Sequence, residues 1–382
     1  MNISIVGGGP AGLFFAMLMK KRDPSHNITV HEQNPADATY GFGVVFSDVA
    51  LGFLREADKE FYQAFTANHE RCDYLEIVHH NVHVQVHNNH FSRAARIDLL
   101  SVLQRNCRAL GVNLEFGTRI DDVGKLGGAD LVVLADGANS AARKQFEEHF
   151  EPSFDARRNK FAWYGTHQLF HPVSLIFKET EHGVFIAHSY QYSRTSSTFL
   201  IEVDPETWRR AGLDQKTDEE SCKFCEDVFR AELGSNNLLS NRSLWFQATV
   251  VRNRRWSYRN MILLGDALRT VHFSLGSGTR MAMQDAIALD IAFGQNSNDV
   301  QAAFAAFESL RRPASERFQT AAAKSLDWYE SVADKMHLDP VDFAYDYMLR
   351  TGRVSHEELR LRDQDFITAY ERGRRHATAG LA

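Results

Sequence analysis

The chain is short of proline and cysteine, with 8 and 4 among 382 residues. Cysteines scattered as Cys72, Cys107, Cys222 and Cys225 cannot form the dense disulfide framework of a small secreted scaffold, so a reducing, cytoplasmic setting is expected. Uninterrupted apolar runs of about 18 residues are missing, and the opening residues, Met1 to Val6, lack a basic stretch ahead of a long apolar one. Neither a membrane span nor an export signal is expected. Positive charge is not in excess: 43 Lys and Arg face 49 Asp and Glu, a formal net charge of −6, which argues against nucleic acid as a partner. Internal repeats and low-complexity linkers are also missing. At about 100–200 residues per domain the length fits two or three structural units, and 44% apolar residues suffice for a large core without staples. What the chain does have is glycine, 24 residues, several in short clusters at the ends of apolar runs.

The apolar, β-branched run 2–6 leads directly into Gly7-Gly8-Gly9-Pro10-Ala11-Gly12 and then an apolar stretch from Leu13, which reads strand, tight turn, helix. A second strand at 28–32 completes one βαβ unit of about 30 residues. Helical spacing over 97–110 stops at Gly111. Residues 112–116 and 130–135 read as strands, the latter fully buried. Aromatic-rich alternating runs from 155 to 255, such as 198–203, suit an antiparallel sheet. Residues 260–264 form one more buried strand, and from 276 the chain reads as helical. The expected fold class is α/β: a Rossmann-type dinucleotide-binding domain with an inserted antiparallel β-sheet substrate domain and a helical C-terminal region. The boundaries drawn are 1–154 for the cofactor domain, with 70–95 on the substrate side, 155–255 for the substrate domain, 256–300 for the return to the first, and 301–382 for the terminal helices.

Gly7, Gly9 and Gly12 make a G-x-G-x-x-G pattern between strand and helix, and Glu32 closes the second strand. Gly7 permits the turn, Gly9 lets backbone approach a pyrophosphate, and Gly12 lets helix pack on strand, while the helix N-terminus at Pro10 and Ala11 favours phosphate charge. Glu32, followed by Gln33, is placed to accept hydrogen bonds from ribose hydroxyls. This predicts a dinucleotide and leaves NAD and FAD both open. Two more glycines stand beside acids at strand ends: Asp136-Gly137, followed by Ser140 and Arg143, and Gly265-Asp266, followed by His272 and Gly276-Ser277-Gly278. An aspartate at a strand end also serves as a helix N-cap.

Taken together, in this order and spacing, the three segments resemble the fingerprints of the single-component FAD-dependent aromatic hydroxylases, the flavoprotein monooxygenases. The resemblance implies FAD, with Asp136 and Gly137 at the cofactor, Asp266 at its ribityl or pyrophosphate region, and Gly276 and Gly278 near the isoalloxazine. Arg96 matches the arginine that the family places near FAD. Tyr40-Gly-Phe-Gly43, Trp163-Tyr-Gly-Thr166, the stretch from Glu181 through His188 to Tyr190, and His272–Gly278 are similar to one branch, that of salicylyl-CoA 5-hydroxylase, the aminobenzoyl-CoA monooxygenases and the violacein-pathway tryptophan hydroxylase. Leu268-Arg269 departs from the branch pattern, and Phe273 and Arg280 replace the wider family's Pro and Asn. Relatives with a fused second oxidoreductase domain are longer, so a hydroxylase module alone is expected.

The activity so implied is ring hydroxylation through a C4a-hydroperoxyflavin, with O2 and NADH or NADPH as co-substrates. The first choice of substrate is an aryl-CoA thioester such as salicylyl- or aminobenzoyl-CoA, and the second is free tryptophan, indole or another small aromatic. The cofactor carries such chemistry, so the protein needs a dry aromatic pocket more than a triad. Candidates on the expected sheet are Trp163, Phe170, Phe177, Phe185, Tyr190 and Tyr192, each of which singly reads as core. His188, Tyr190 and Phe273 are placed at the substrate. His272, on a loop expected to face the flavin, is the candidate to orient or deprotonate a phenol or amine; a histidine bonded to backbone is the alternative. Arg252, Arg254, Arg255 and Arg259 could hold CoA phosphates or form a solvated strand end. A second dinucleotide fingerprint is not visible, so nicotinamide is expected to bind transiently. A monomer or homodimer is expected, with no nucleic acid or membrane partner.

Two signals point elsewhere. His79, His80, His83, His87 and His90 suggest a metal, but Val82, Val84 and Val86 alternate with the imidazoles as on a half-buried strand leading into a turn at Asn88-Asn89, and no metal is expected. Cys222-Lys-Phe-Cys225 raises a flavin disulfide reductase, but it lies in an amphipathic helical stretch remote from the flavin motifs. A non-catalytic FAD-binding protein is the remaining alternative.

Overall fold

The computed structural model describes residues 1–39, 41–272 and 275–379, apart from the side chains of 48–50 and 375–379. Tyr40 and Phe273 thus lie outside the described residues. The strands, in chain order, are β1 (Asn2–Val6), β2 (Asn27–Glu32), β3 (Gly43–Ser47), β4 (Glu70–His79), β5 (Val82–Ala95), β6 (Asn113–Phe116), β7 (Leu131–Leu134) and β8 (Pro152–Thr166). They continue as β9 (Val173–Thr180), β10 (Gly183–Ser193), β11 (Ser196–Val203), β12 (Leu238–Leu239), β13 (Phe246–Asn253), β14 (Ser257–Tyr258) and β15 (Met261–Leu263).

Two sheets result. The first has the order β14-β15-β7-β1-β2-β6 and is parallel apart from the edge strand β14. Its central strands are buried on both faces, as the all-apolar Leu131-Val-Val-Leu134 requires. Helices Pro10–Arg22 and Gly278–Gln295 cover it together; Phe15 meets Phe293 at 6.3 Å, and Arg22 grips Asp290 through two hydrogen bonds of 2.8 and 2.6 Å. Helix Arg96–Ala109 ends as Gly111 predicts. Gly111 N–H bonds to Arg108 O and Val112 N–H to Cys107 O, the paired closure that a left-handed residue permits.

The second sheet runs β12-β8-β11-β10-β9-β4-β5-β3, with β13 also on β8. It is antiparallel except where β4 lies parallel to β9. One face packs against the helices between 205 and 233, including Cys225 and Phe229. The other packs against the C-terminal helices through Trp328, Tyr329, Phe343 and Tyr347. Helix Val300–Glu330 joins both cores, with Phe304 and Phe307 in the first and Trp328 and Tyr329 in the second. The fold is therefore mixed α/β with a helical C-terminal region.

One local expectation is corrected. Asn88-Asn89 does not make the hairpin turn. The chain reverses at His80-Asn81, both at positive φ, and β5 passes through 88–90 as a bulge opposite Cys72–Tyr74. Val82–Ala95 is long enough to reach both β4 and β3, so the Asn pair twists the strand instead of ending it. His79 and His80 bond through Nε2 to the carbonyls of Leu338 and Met336, tying the hairpin to the C-terminal region.

Candidate active site

The first glycine cluster forms an open cradle. Gly7 has φ 107°, and a Cβ on it would overlap the backbone of Ala135 on the neighbouring strand end, so only glycine fits. A Cβ on Gly12 would overlap the carbonyl oxygen of Gly7, whereas Gly9 faces open space. Helix Pro10–Arg22 has no side-chain N-cap, which leaves its first-turn N–H groups available to an anion. Glu32 is already held: Oε2 accepts Gly8 N–H at 2.8 Å and Oε1 accepts Asn34 N–H at 2.8 Å. A carboxylate retains further lone pairs, so it can still bind ribose hydroxyls; Gln33 is exposed beside it.

The second and third clusters converge on this cradle through Arg143, whose guanidinium donates to Ala138 O at 2.6 Å and Ala267 O at 2.9 Å. Asp136, of the second cluster, has its backbone against Gly7; Oδ2 accepts Ala142 N–H at 3.2 Å, while Oδ1 is buried without a hydrogen-bond partner. Gly137 follows it in the same turn. Gly265, at φ 61°, would with a Cβ come within 2.9 Å of Ala11 Cβ, so it lets the third turn lie directly on the first helix. Arg269, the departure from the expected pattern, is buried in a two-pronged bond to Asp285 of 2.6 and 3.0 Å, and Arg311 donates to the same carboxylate at 2.8 Å.

Between the two sheets lies a cavity of about 480 Å³. One side carries Arg96, Asp266, Gly276 and Gly278. Asp266 is open to this cavity yet surrounded by protein, which raises its pKa, opposed by the charges of Arg96 and Arg269. The same surroundings lower the pKa of Arg96. The other side is the face of the second sheet. Trp163, Leu200, His188 and Leu175 form one cross-strand row over β8, β11, β10 and β9 and all line the cavity. Two-residue periodicity puts Tyr190 on the same face as His188; its hydroxyl donates to Gly43 O at 2.9 Å. Trp163 Nε1 donates to Thr198 Oγ1 at 2.6 Å. Burial holds the Tyr190 hydroxyl well above its ordinary pKa.

Other expected residues fall elsewhere. His272 does not line this cavity. It is buried with Phe161 at 5.3 Å and borders a separate void of about 10 Å³ with Arg157 and Gln319; burial and adjacent positive charge hold its pKa well below the ordinary value. On the cavity wall the histidine is His188. Phe177 and Phe185 belong to the cores. None of the four arginines at 252–259 lines the large cavity; Arg254 and Arg255 pair with Glu151 at 2.8 and 3.1 Å. Cys222 and Cys225 are free thiols on helix Asp218–Val228, with Cys225 buried in the core behind the sheet.

Conversely, Tyr347, Met348, Arg350 and Val354 line the cavity although sequence reasoning assigned the terminal helices no site role. Arg350 lies 3.7 Å over the Tyr347 ring. No motif marks these residues, and only their packing on the sheet brings them there.

The open N-terminus, the Glu32 carboxylate, the orphaned Asp136 oxygen and the cavity edge at Arg96 and Asp266 suit a dinucleotide whose ring end enters the cavity. A model of the FAD binding domain family matches residues 1–322. Salicyloyl-CoA 5-hydroxylase of Streptomyces sp is 37% identical over 377 residues, 96% of this chain and 72% of that protein. Protodeoxyviolaceinate monooxygenase of Chromobacterium violaceum is 34% identical over 92% of this chain and 94% of its own. The 3-hydroxy-4-methyl-anthranilyl-[aryl-carrier protein] 5-monooxygenase of Streptosporangium sibiricum is 32% identical over 94% and 97%. Among solved structures, 2-methyl-3-hydroxypyridine-5-carboxylic acid oxygenase shares the fold at TM-score 0.68 and 16% identity, covering 94% of this chain and 95% of that one. Cradle, cavity and these likenesses agree: the chain belongs to the FAD-binding-domain family and is an FAD-dependent aromatic monooxygenase.

Proposed function

We propose that the protein hydroxylates an electron-rich aromatic ring, presented as the thioester of an aryl carboxylic acid, with O2 and NADH or NADPH as co-substrates. The observation that carries this reading is the single cavity in which Arg96, Asp266 and Gly276–Gly278 face the row Trp163, Leu200, His188, Leu175. FAD would lie with its pyrophosphate at Gly7–Gly12, its ribose at Glu32, and its ring end beside Arg96 and Asp266. Bound there, it supplies reducing equivalents and oxygen activation. The chain's own residues bind and orient the ring, exclude water and set the charge around it. Trp163 and the leucines give an apolar wall against which an aromatic ring packs. Tyr190, fixed on Gly43 O, and His188 offer polar groups on that wall.

The thioester rests on two relatives whose names carry an aryl group on CoA or on an aryl-carrier protein, not on the four arginines at 252–259, which lie off the cavity. The test follows NADH and NADPH consumption and product formation by the purified yellow protein against free aromatics, salicyloyl-CoA and aminobenzoyl-CoA. Product from the thioesters but not the free acids is expected. Turnover of free tryptophan or indole alone overturns the thioester, and no aromatic-stimulated oxidation in the whole panel overturns the hydroxylase assignment to such rings.

A further inference from the structure

We propose that His188 accepts the proton of a ring hydroxyl on the substrate and that Glu202 is the positioning residue that fixes its tautomer. This deepens the reading above and rests on it. Glu202 lies on the cavity face of β11, one row beyond Leu200, opposite Ile186 and Phe161. It is 0% exposed. A carboxylate taken that far from water needs compensating partners, and here it has two. Asn159 Nδ2 donates to Oε1 at 2.7 Å, and His188 Nε2 lies 2.9 Å from Oε2. Among the described residues no lysine or arginine forms an ion pair with Glu202.

An ionised carboxylate can only accept, so Nε2 of His188 carries the hydrogen and the lone pair of the neutral ring is on Nδ1. The imidazole is on the cavity wall, in the row with Trp163, Leu200 and Leu175. A carboxylate behind a histidine that faces the reacting group is the arrangement that holds a general base in one tautomer and orientation. In the step, the substrate O–H bond breaks, its electron pair stays on oxygen, the proton forms a bond to Nδ1, and Nε2–H remains on Glu202. The ring thereby becomes the more electron-rich phenolate, with no oxidant or reductant consumed.

The groups packed around His188 compete poorly for this proton. Tyr329, from helix Val300–Glu330, has its ring at 5.1 Å, and Arg350 stands 5.9 Å over that ring. His272 acts on His188 from the loop beyond β15, with Arg157 of β8 beside His272 in turn, and Tyr190 neighbours on β10 itself. Burial keeps His272 neutral and both tyrosines protonated.

The test compares wild type, His188→Gln and Glu202→Gln holoenzymes, matched for flavin content, on phenolic substrates and their O-methyl ethers, beginning with salicyloyl-CoA. A general base contributes about 100-fold or more, and loss of a positioning carboxylate costs about 10-fold or more. Those losses in maximal rate are expected on the phenol, with the midpoint of its pH profile moved upward in His188→Gln, where the phenol must ionise unaided, and downward in Glu202→Gln, where the imidazolium loses its carboxylate partner. On the methyl ether, which has no proton to lose, wild type and both variants should be equally slow. Equal losses on phenol and ether show a merely structural role and overturn the proposal, as does an unchanged pH profile. Should the His188 variant lose flavin, the nearly isosteric Glu202→Gln gives the same comparison. Turnover by wild type of anilines or indoles but of no phenol overturns this inference and leaves the hydroxylase reading standing, whereas no turnover of any ring overturns that reading itself.

Discussion

The buried cluster of Asp285 with Arg269 and Arg311 provides a sharp test of how the cofactor side is held together. Asp285 is 0% exposed and the Arg269 side chain 4%. Replacing Asp285 by Asn leaves two guanidinium groups facing a neutral amide in a site closed to water. Breaking a buried pair from one side costs about 3–5 kcal/mol. With about 2.1 cal/mol/K of unfolding entropy per residue, a chain of 382 residues has about 0.8 kcal/mol/K. The expected fall in Tm is therefore about 4–6 °C, read by differential scanning fluorimetry of the flavin-loaded protein. Asp290→Asn, on the same helix, is the control. Its partner Arg22 is 32% exposed, so water screens the loss and about 1 kcal/mol, or about 1 °C, is expected. If the two variants melt together, or Asp285→Asn melts with wild type, burial does not govern these pairs and the reasoning is wrong.

Four further outcomes are expected. Gly12→Ala should fold but lose flavin, because its Cβ overlaps the Gly7 carbonyl; overpacking of about 1–3 kcal/mol corresponds to about 5- to 150-fold weaker binding, measurable by flavin fluorescence. Trp163→Ala should widen the cavity and raise KM for single-ring substrates more than for two-ring ones, with an unchanged order of preference counting against Trp163 as its wall. Cys222→Ser should retain full coupled activity, since the thiol sits in a helix behind the sheet; loss of activity would revive the disulfide reductase alternative. His69, held on Ser92 and pushed down to about 4 by burial, is neutral when folded and protonates near pH 6.5 when unfolded. Its stabilising contribution is thus complete above pH 6.5 and is lost as pH falls towards 4, so His69→Gln should flatten that limb of the Tm–pH curve by about one proton.

The cofactor half was readable because each of its signals is local. A glycine whose Cβ would strike the next strand, an acid at a strand end and Gly111 closing a helix are all consequences of backbone geometry within a few residues. The failures were long-range. Asn88-Asn89 has turn chemistry, but β5 must continue to reach β3, and sheet pairing outweighed local preference. His272 stood in a loop beside glycines near the flavin, yet the side-chain direction that decides its role depends on packing against Phe161 and helix Val300–Glu330.

By itself, then, the sequence determined the βαβ cradle, the dinucleotide and the family, since these follow from spacing along the backbone. Tertiary structure alone decided which histidine faces the cavity. His188 does so because strand alternation aligns it with Trp163, Leu200 and Leu175, and a carboxylate 14 positions away in the chain is brought to its Nε2 by the hairpin of β10 and β11. It also decided that the last helices, silent in sequence, close the site, because a sheet face too apolar for water has to be covered.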